Sequence, residues 1–448
     1  MALTGIEIFK KLPKTNCGEC GVPTCLAFAM KLAGGQAELS ACPHVSDEAK
    51  AELAEASAPP IRTVAVGTAE QAVKVGGETV LFRHEKTFVN KSPLAILVSD
   101  AMPDAEVEGR LTRFKELEYD RVGLTLRADM LALKNESGDA AKFTALAKKV
   151  AEATDAPLIL IGDDVEALKG AVEASGSRKP LLYAATKDNV DKFAKLAKDT
   201  GCPLAVRANS VAELAELTPK VDEAGVKDIV LDSGARTFRQ ALEDQVAIRR
   251  GALMSKVKEV GYPTIAFPCE MTEDRMEETL MAAAFIAKYA GIIVLSDIQG
   301  QSLFLLLLTR LNIYTDPQRP MATDQGIYEI GNPDENSPVL ITTNFSLTYF
   351  IVSGEIETSR VPAYLLILDT EGLSVMTAWA AGKFVADLIG PFVKKSGIED
   401  KVSHRKIIIP GYAAAISGEL EEELPDWEVQ IGPREASSIS AFLKTWAA

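Results

Sequence analysis

The sequence predicts an α/β fold: a (β/α)8 barrel, flanked by a small amino-terminal four-cysteine module and a carboxyl-terminal open α/β domain. Three observations predict it. Short apolar runs recur eight times between Leu94 and Asp297, four of the six cysteines crowd between Cys17 and Cys42, and a strand-helix alternation restarts after a Pro-, Asp-, Asn- and Gly-rich stretch, Asn312–Pro338. At 448 residues the chain exceeds one ordinary core and is expected to divide into domains. Its longest apolar run, Leu303–Thr309, is far short of the ~20 residues a membrane span needs. The net charge is −15, with 63 acidic against 48 basic residues and no basic block, which argues against nucleic acid as a partner. The opening, MALTGIEIFKKLPKTN, lacks the basic-then-apolar order of a secretory signal. A cytoplasmic, reducing setting is therefore expected, in which clustered thiols hold metal and do not form disulfides.

Taken in order, residues 1–57 form the cysteine module. It ends where an Ala/Glu-rich helix runs into Ser57 and Pro59-Pro60, which cannot continue it. The next stretch, TVAVGTAEQAVKVGGETVLF, predicts two short strands around Gly76-Gly77, a hairpin that caps the barrel. Residues 58–324 then carry the runs Leu94–Ser99, Val122–Ala128, Leu158–Gly162, Leu181–Ala185, Leu204–Ala208, Asp228–Asp232, Thr264–Pro268 and Ile292–Asp297. Continuous apolar runs suit parallel strands buried on both faces. The amphipathic segments between them are long enough for the crossover helices that parallel strands require. Eight such units are the arithmetic of a barrel, with a doubly wound open sheet as the alternative. In residues 325–448 the strands Val339–Thr343, Tyr364–Thr370, Lys406–Gly411 and Trp427–Gly432 alternate with helices, predicting a small Rossmann-like open sheet. Such sheets bind ligands beyond the carboxyl ends of their strands.

Cys17, Cys20, Cys25 and Cys42 are spaced C-x2-C-x4-C-x16-C. Zinc ribbons pair two tight C-x-x-C hairpins, and only one tight pair is present here. Three close cysteines with a fourth from farther off, followed by Pro43, fit an iron–sulfur cluster better, with zinc as the alternative. Gly18 and Gly21 leave backbone N–H groups free to approach cluster sulfurs. Cys202 and Cys269 stand alone and suit buried small hydrophobes.

With CGECGVPTCLAFAMKLA, an eight-strand barrel and a terminal domain carrying TTNFSLTYF, LDTEGLSV and IGPREAS, the chain resembles the large subunit of the corrinoid iron–sulfur protein, the gamma subunit of acetyl-CoA decarbonylase/synthase complexes. The resemblance covers essentially the whole chain and draws its specificity from the order of three domains. It implies a 4Fe-4S cluster on Cys17, Cys20, Cys25 and Cys42. It also implies a cobamide against the terminal domain and a methyl carrier of the acetyl-CoA pathway, cycling its bound cofactor between partner enzymes. The implied partners are a small subunit completing a heterodimer, a methyltetrahydrofolate (or methyltetrahydropterin) corrinoid methyltransferase, acetyl-CoA synthase/CO dehydrogenase and a low-potential electron donor. Cobalt(I) is a strong nucleophile prone to one-electron oxidation, and a cluster on a tether can restore it.

On the terminal domain the resemblance points to the turns after the strands: Thr342, Thr343, Asn344, Ser346 and Thr348; Thr370, Glu371, Gly372, Leu373 and Ser374; Gly411 and Tyr412; and Gly432, Pro433 and Arg434 with Glu435. Helix-start N–H groups there suit propionamides and a phosphate, although Ser and Thr at such turns are also ordinary helix caps. Among three histidines, His44, His84 and His404, none lies in a D-x-H-x-x-G stretch, so a base-off cobamide without a protein ligand is implied, and His404 is expected at the surface. The expected barrel strand ends carry Asp100, Arg127, Asp129, Asp163, Arg207, Asn209, Asp232, Ser233 and Asp297. Pterin-binding methyltransferases place Asp and Asn similarly. A stand-alone barrel methyltransferase with an accessory cluster is therefore one alternative, and an electron-transfer or corrinoid-activating protein is another.

Overall fold

The structure is a computed structural model. It describes residues 5–33, 37, 39–46, 49, 53, 59–68, 71–121, 124–176, 178–316 and 320–446. Ser57 and most of the Ala/Glu-rich segment before it lie outside the described residues. Packing divides the chain into two units. The first comprises Met1–Leu81, Val89–Leu117 and Ala128–Ile313; the second comprises Phe82–Phe88, Glu118–Arg127 and Tyr314–Ala448.

In the first unit, a two-stranded hairpin of β1 (Val64–Val66) and β2 (Val73–Val75) precedes the barrel strands. Those are β3 (Leu94–Ser99), β6 (Met130–Lys134), β7 (Leu158–Ile161), β8 (Leu181–Ala185), β9 (Leu204–Arg207), β10 (Ile229–Asp232), β11 (Ile265–Ala266) and β12 (Ile292–Leu295). They run parallel in the order β10-β9-β8-β7-β6-β3-β12-β11. A parallel bridge between Leu231 and Thr264 closes the ring, with Leu231 N donating to Pro263 O at 2.8 Å. Helices cross between strands, and side chains of Asp139, Asp164, Ser210 and Asp274 cap four of them.

Two expectations need correction. The second barrel strand is not Val122–Ala128. Leu124–Arg127 forms β5, antiparallel to β4 (Glu118–Arg121) in a separate two-stranded ribbon, and both are mostly exposed. The alternation in LTLR marks a solvent-facing ribbon, whereas the continuous MLAL of β6 marks a doubly covered strand. The early hairpin turns between Gly67 and Ala72, ahead of Gly76-Gly77. Gly76 and Gly77 take φ of 81° each, and a side chain on Gly76 would lie 2.2 Å from Arg62 O, so this pair serves a close backbone crossing. Val64, Val66 and Val75 belong to the barrel's own apolar core with Met130, Ile159, Leu181 and Ile292. Gly67 N donates to Lys179 O, just before β8, so the hairpin plugs the amino-terminal rim.

In the second unit, β13 (Gly326–Ile330), β14 (Val339–Thr343), β15 (Ala363–Leu368), β16 (Lys406–Ile409) and β17 (Glu428–Ile431) form one sheet in the order β13-β15-β14-β16-β17. The sequence led to four of these strands. The fifth, β13, is an antiparallel edge strand inside the stretch read as a boundary. Alternate residues face two cores. Val339, Ile341, Leu366 and Ile407 pack with the helices Ala386–Ser396 and Ser417–Glu423; Leu340, Leu365, Ile367 and Ile408 pack with Ser346–Ser359 and Ile439–Leu443. This is an open sheet wound on both faces. The strand order reverses between β14 and β16, which meet through one registered pair, Leu340 with Ile408.

Candidate functional site

The cysteine module is built on a loop of repeated left-handed residues: Lys14, Asn16, Gly18 and Gly21 all have positive φ. Two of them are not glycine. Asn16 is held there because its Oδ1 accepts Cys25 N at 2.8 Å while its own N–H points at Cys25 Sγ, 3.4 Å away. Thr24 Oγ1 accepts Ala27 N, so the helix Cys25–Ala33 starts at a cysteine with its positive end toward the loop. Cys42 follows a tight turn, donating N–H to Leu39 O at 3.1 Å. Cys25 and Cys42 are buried in one apolar cluster with Ile8, Val22, Phe28 and Val45, Cys20 packs against it, and Cys17 is exposed. All four thiols are free, and nothing lies within 4 Å of the positions a side chain would take on Gly18 and Gly21. The four sulfurs, near the open side of Gly18 and Gly21 and a helix N-terminus, are soft donors of the kind an iron–sulfur group takes. Of the two glycine N–H groups expected to be free, that of Gly21 is not, since it donates to Gly18 O at 2.9 Å. His44 Nε2 and Glu19 Oε2 lie 2.9 Å apart beside Cys17.

At the carboxyl edge of the second sheet the predicted residues separate into two sets. Asn344 organises the first. Its Oδ1 accepts the N–H groups of Thr370 at 3.0 Å and Gly372 at 2.9 Å, and its Nδ2 donates to Asp369 at 2.8 Å. The Thr370 hydroxyl sits 3.0 Å from both Asn344 Oδ1 and Leu373 O. Glu371 and Gly372 have φ of 57° and 73°, and a side chain on Gly372 would come within 2.9 Å of Pro320 O. Gly411 and Gly432 likewise let the turns after β16 and β17 interlock: a side chain on Gly411 would meet Gly432 O at 2.6 Å. These residues shape the edge from within.

The second set carries hydroxyls that no other group holds. The hydroxyls of Thr343 and Ser346 are buried without a partner, as is that of Thr323, whose N–H donates to Asn344 O at 2.8 Å. Buried orphan hydroxyls are uncommon and call for an explanation, a bound water, ion or ligand among them. Large apolar side chains also stay exposed in segments that leave the parallel strands: Leu347 after β14, Met376 and Trp379 after β15, Tyr412 after β16. Tyr412 donates to Glu435 at 2.8 Å, a bond that holds its phenol above the ordinary value and therefore protonated. Sequence reading missed Leu347, Met376, Trp379 and Thr323. The helix Val375–Ala380 spans only six residues, too short for periodicity to separate an outward Trp379 from a core one. Thr342 is buried, Thr348 and Ser374 are half-buried, Pro433 is half-buried and Arg434 is exposed. His404 is tied in rather than free at the surface, with Nε2 2.9 Å from Ser337 O and Nδ1 accepting Lys406 N.

The barrel's polar residues are engaged with one another. Asp232 accepts from Tyr183, Arg236 and Gly234 N, and Arg236 also binds Glu270 and stacks on Phe267. Burial, then the Asp232 charge, pushes the Tyr183 phenol well above its usual value, so it remains a donor. Asp100 accepts Glu136 N and both Ser137 donors. Asp297 pairs with Arg113, Arg275 and Arg110. Asp129 precedes β6 and pairs with Arg310, and Arg127 ends β5 in the β4–β5 ribbon, so neither stands at a barrel strand's carboxyl end. Asn209 N donates to Glu213 in a helix-capping turn, and Asp163 and Arg207 are exposed.

The family model described as CO dehydrogenase/acetyl-CoA synthase delta subunit matches residues 63–443, and a model for an Fe-S cluster region matches residues 12–44. The chain is 47% identical to the corrinoid/iron-sulfur protein large subunit of Moorella thermoacetica over 99% of each chain. It is 38% identical to the acetyl-CoA decarbonylase/synthase complex subunit gamma of Methanothermobacter thermautotrophicus, again over 99% of each. A solved 7,8-dihydropteroate synthase from Vibrio fischeri is similar at 11% identity and a TM-score of 0.37, covering 53% of this chain and 99% of that one. The chain therefore belongs to the family of the corrinoid/iron-sulfur protein large subunit and its archaeal gamma-subunit relatives.

Proposed function

We propose that this chain is the methyl-carrying subunit of an acetyl-CoA pathway complex, with a 4Fe-4S cluster on Cys17, Cys20, Cys25 and Cys42 and one face of a base-off cobamide against the carboxyl edge of the second sheet. The observation that carries the reading is the set of orphan hydroxyls on Thr323, Thr343 and Ser346, together with exposed apolar side chains in the segments that leave the parallel strands of a sheet whose strand order reverses. When bound, the cobamide supplies a cobalt(I) nucleophile that takes a methyl group from a pterin or folate donor and yields it to acetyl-CoA synthase, and the cluster supplies the repair electron.

The chain's own residues then have distinct tasks. Leu347, Met376 and Trp379 offer apolar cover to one face of a flat ring. Thr343 and Ser346 offer hydroxyls that donate to or accept from peripheral amides. Asn344 holds the turn that presents Thr370 to Leu373. No axial ligand is assigned to the protein: His404 is committed to Ser337 and Lys406. One five-stranded sheet covers one face of a large disc, so the opposite face is assigned to a small subunit, and the complex to a heterodimer in a cytoplasmic, reducing setting. A methyltransferase, acetyl-CoA synthase/CO dehydrogenase and a low-potential electron donor complete the cycle.

The test is a titration of the purified chain and its small subunit with cobinamide and cobalamin, read by the visible spectrum. Binding of both, with equal cobalt environments, is expected. Methyl transfer from methyltetrahydrofolate to free cob(I)alamin by this chain alone would instead assign the activity to the barrel.

A further inference from the structure

Cys17, Glu19 and His44 bring a thiol, a carboxylate and an imidazole together, with one ligand atom of each within 4.8 Å of the others. All three are exposed, and the His44–Glu19 contact of 2.9 Å already fixes two of them. Among the four cysteines Cys17 is the outlying one: Cys25 and Cys42 are buried in the module's apolar cluster and Cys20 packs against it. Sulfur, nitrogen and oxygen donors are what zinc takes, at roughly 2.3, 2.0 and 2.1 Å, and three protein ligands leave a fourth position for water. A tetrahedron with those bonds needs ligand atoms roughly 3.3–3.8 Å apart. Exposed side chains reach that spacing by rotation alone.

We propose that the cluster-free module binds one divalent metal ion, zinc in preference to iron(II), at Cys17, Glu19 and His44, and that this ion and the cluster exclude each other because both take the Cys17 thiolate. Zinc stands above iron(II) in the order of divalent affinities. Binding sends the Cys17 thiol proton to solvent, shifts the His44 ring proton from Nε2 to Nδ1, replaces the His44–Glu19 hydrogen bond with two bonds to the ion, and moves no electron. The exclusion rests on the reading that Cys17 is a cluster ligand, whereas the binding rests on the triad alone.

The full chain, stripped of iron by a chelator without oxygen, is titrated with Co2+ as a coloured probe. One ion per chain is expected, with a thiolate-to-cobalt absorption band that zinc abolishes. Cys17→Ser should remove the band, His44→Ala and Glu19→Gln should weaken binding by about tenfold or more, and Cys20→Ser should leave it unchanged. Loss of binding in Cys20→Ser with no effect of His44→Ala and Glu19→Gln would assign the ion to the four thiols and overturn the proposal, as would no binding at all. Because Glu19 and His44 are exposed, their variants do not disturb the fold. Exclusion is read in a second arm, where zinc-loaded wild type should take up iron and sulfide more slowly than zinc-treated His44→Ala; equal rates would overturn it. Uptake by metal-free wild type reports separately on the cluster reading.

Discussion

Asn344 shows how much geometry one side chain can hold. Four hydrogen bonds at its amide, three accepted and one donated, join the turn after β15 to the end of β14. Asn344→Ala should leave the N–H groups of Thr370 and Gly372 buried without partners and cost about 2 kcal/mol or more, measured by urea unfolding. Thr343 and Ser346 predict the opposite pattern. Their hydroxyls have no partner to lose, so Thr343→Val and Ser346→Ala should leave the urea midpoint unchanged or slightly raised while weakening cobinamide binding about fivefold each, near 1 kcal/mol. Equal affinity in both variants would move the ligand elsewhere. In the barrel, burial raises the Glu78 carboxyl above its ordinary 4.5 even with Arg249 beside it at 3.2 Å. Folding therefore takes up a proton in the window between 4.5 and the raised value. The contribution of this group to stability is largest below that window, falls as pH rises through it, and is level above it. Glu78→Gln should flatten that part of the stability-pH curve. The hydroxyl-bearing turns were legible because Ser, Thr and Asn after apolar runs are visible in one dimension. Which of them face inward, as Asn344 and Thr370 do, depends on partners from distant segments.

At the scale of elements, the barrel's count of eight was legible while one identity was not. LTLR and MLAL stand two residues apart, and burial on both faces, which decides between them, is a property of neighbours. β13 escaped because a partly exposed edge strand carries a weak apolar signal, and GIYEI sits among turn-forming residues. Glycine placement was half legible. The interlock of Gly411 with Gly432 and Arg434 can be seen only once β16 and β17 are side by side. Gly411→Ala should push the two turns apart, lowering the thermal midpoint and loosening cobinamide together; loss of cofactor with an unchanged midpoint would contradict this reading.

At the scale of the whole molecule, the four cysteines and the module's separate apolar cluster predict about four iron and four sulfide per chain after anaerobic purification, with stoichiometric zinc and no sulfide as the contrary result. Removing the iron should leave the barrel's melting transition in place, because the barrel core shares no residue with the cysteine cluster. That an eight-strand parallel sheet comes before a smaller open sheet could be read from composition and rhythm. The interleaving of the two units could not, since Phe82–Phe88 and Glu118–Arg127 look like ordinary barrel loops and yet belong with Tyr314–Ala448. Within that unit Arg83 donates to Thr315 O at 3.0 Å, and Arg121 lies over the Phe350 ring at 5.8 Å. Arg121→Ala should cost roughly 0.5–1 kcal/mol of that unit's stability. The chain passes from one unit to the other after Leu81, Phe88, Leu117, Arg127 and Ile313, five times in all. No single cut in the chain yields the second unit with all its pieces, so a fragment beginning at Tyr314 lacks Phe82–Phe88 and Glu118–Arg127 and should be less stable than the same sheet within the full chain.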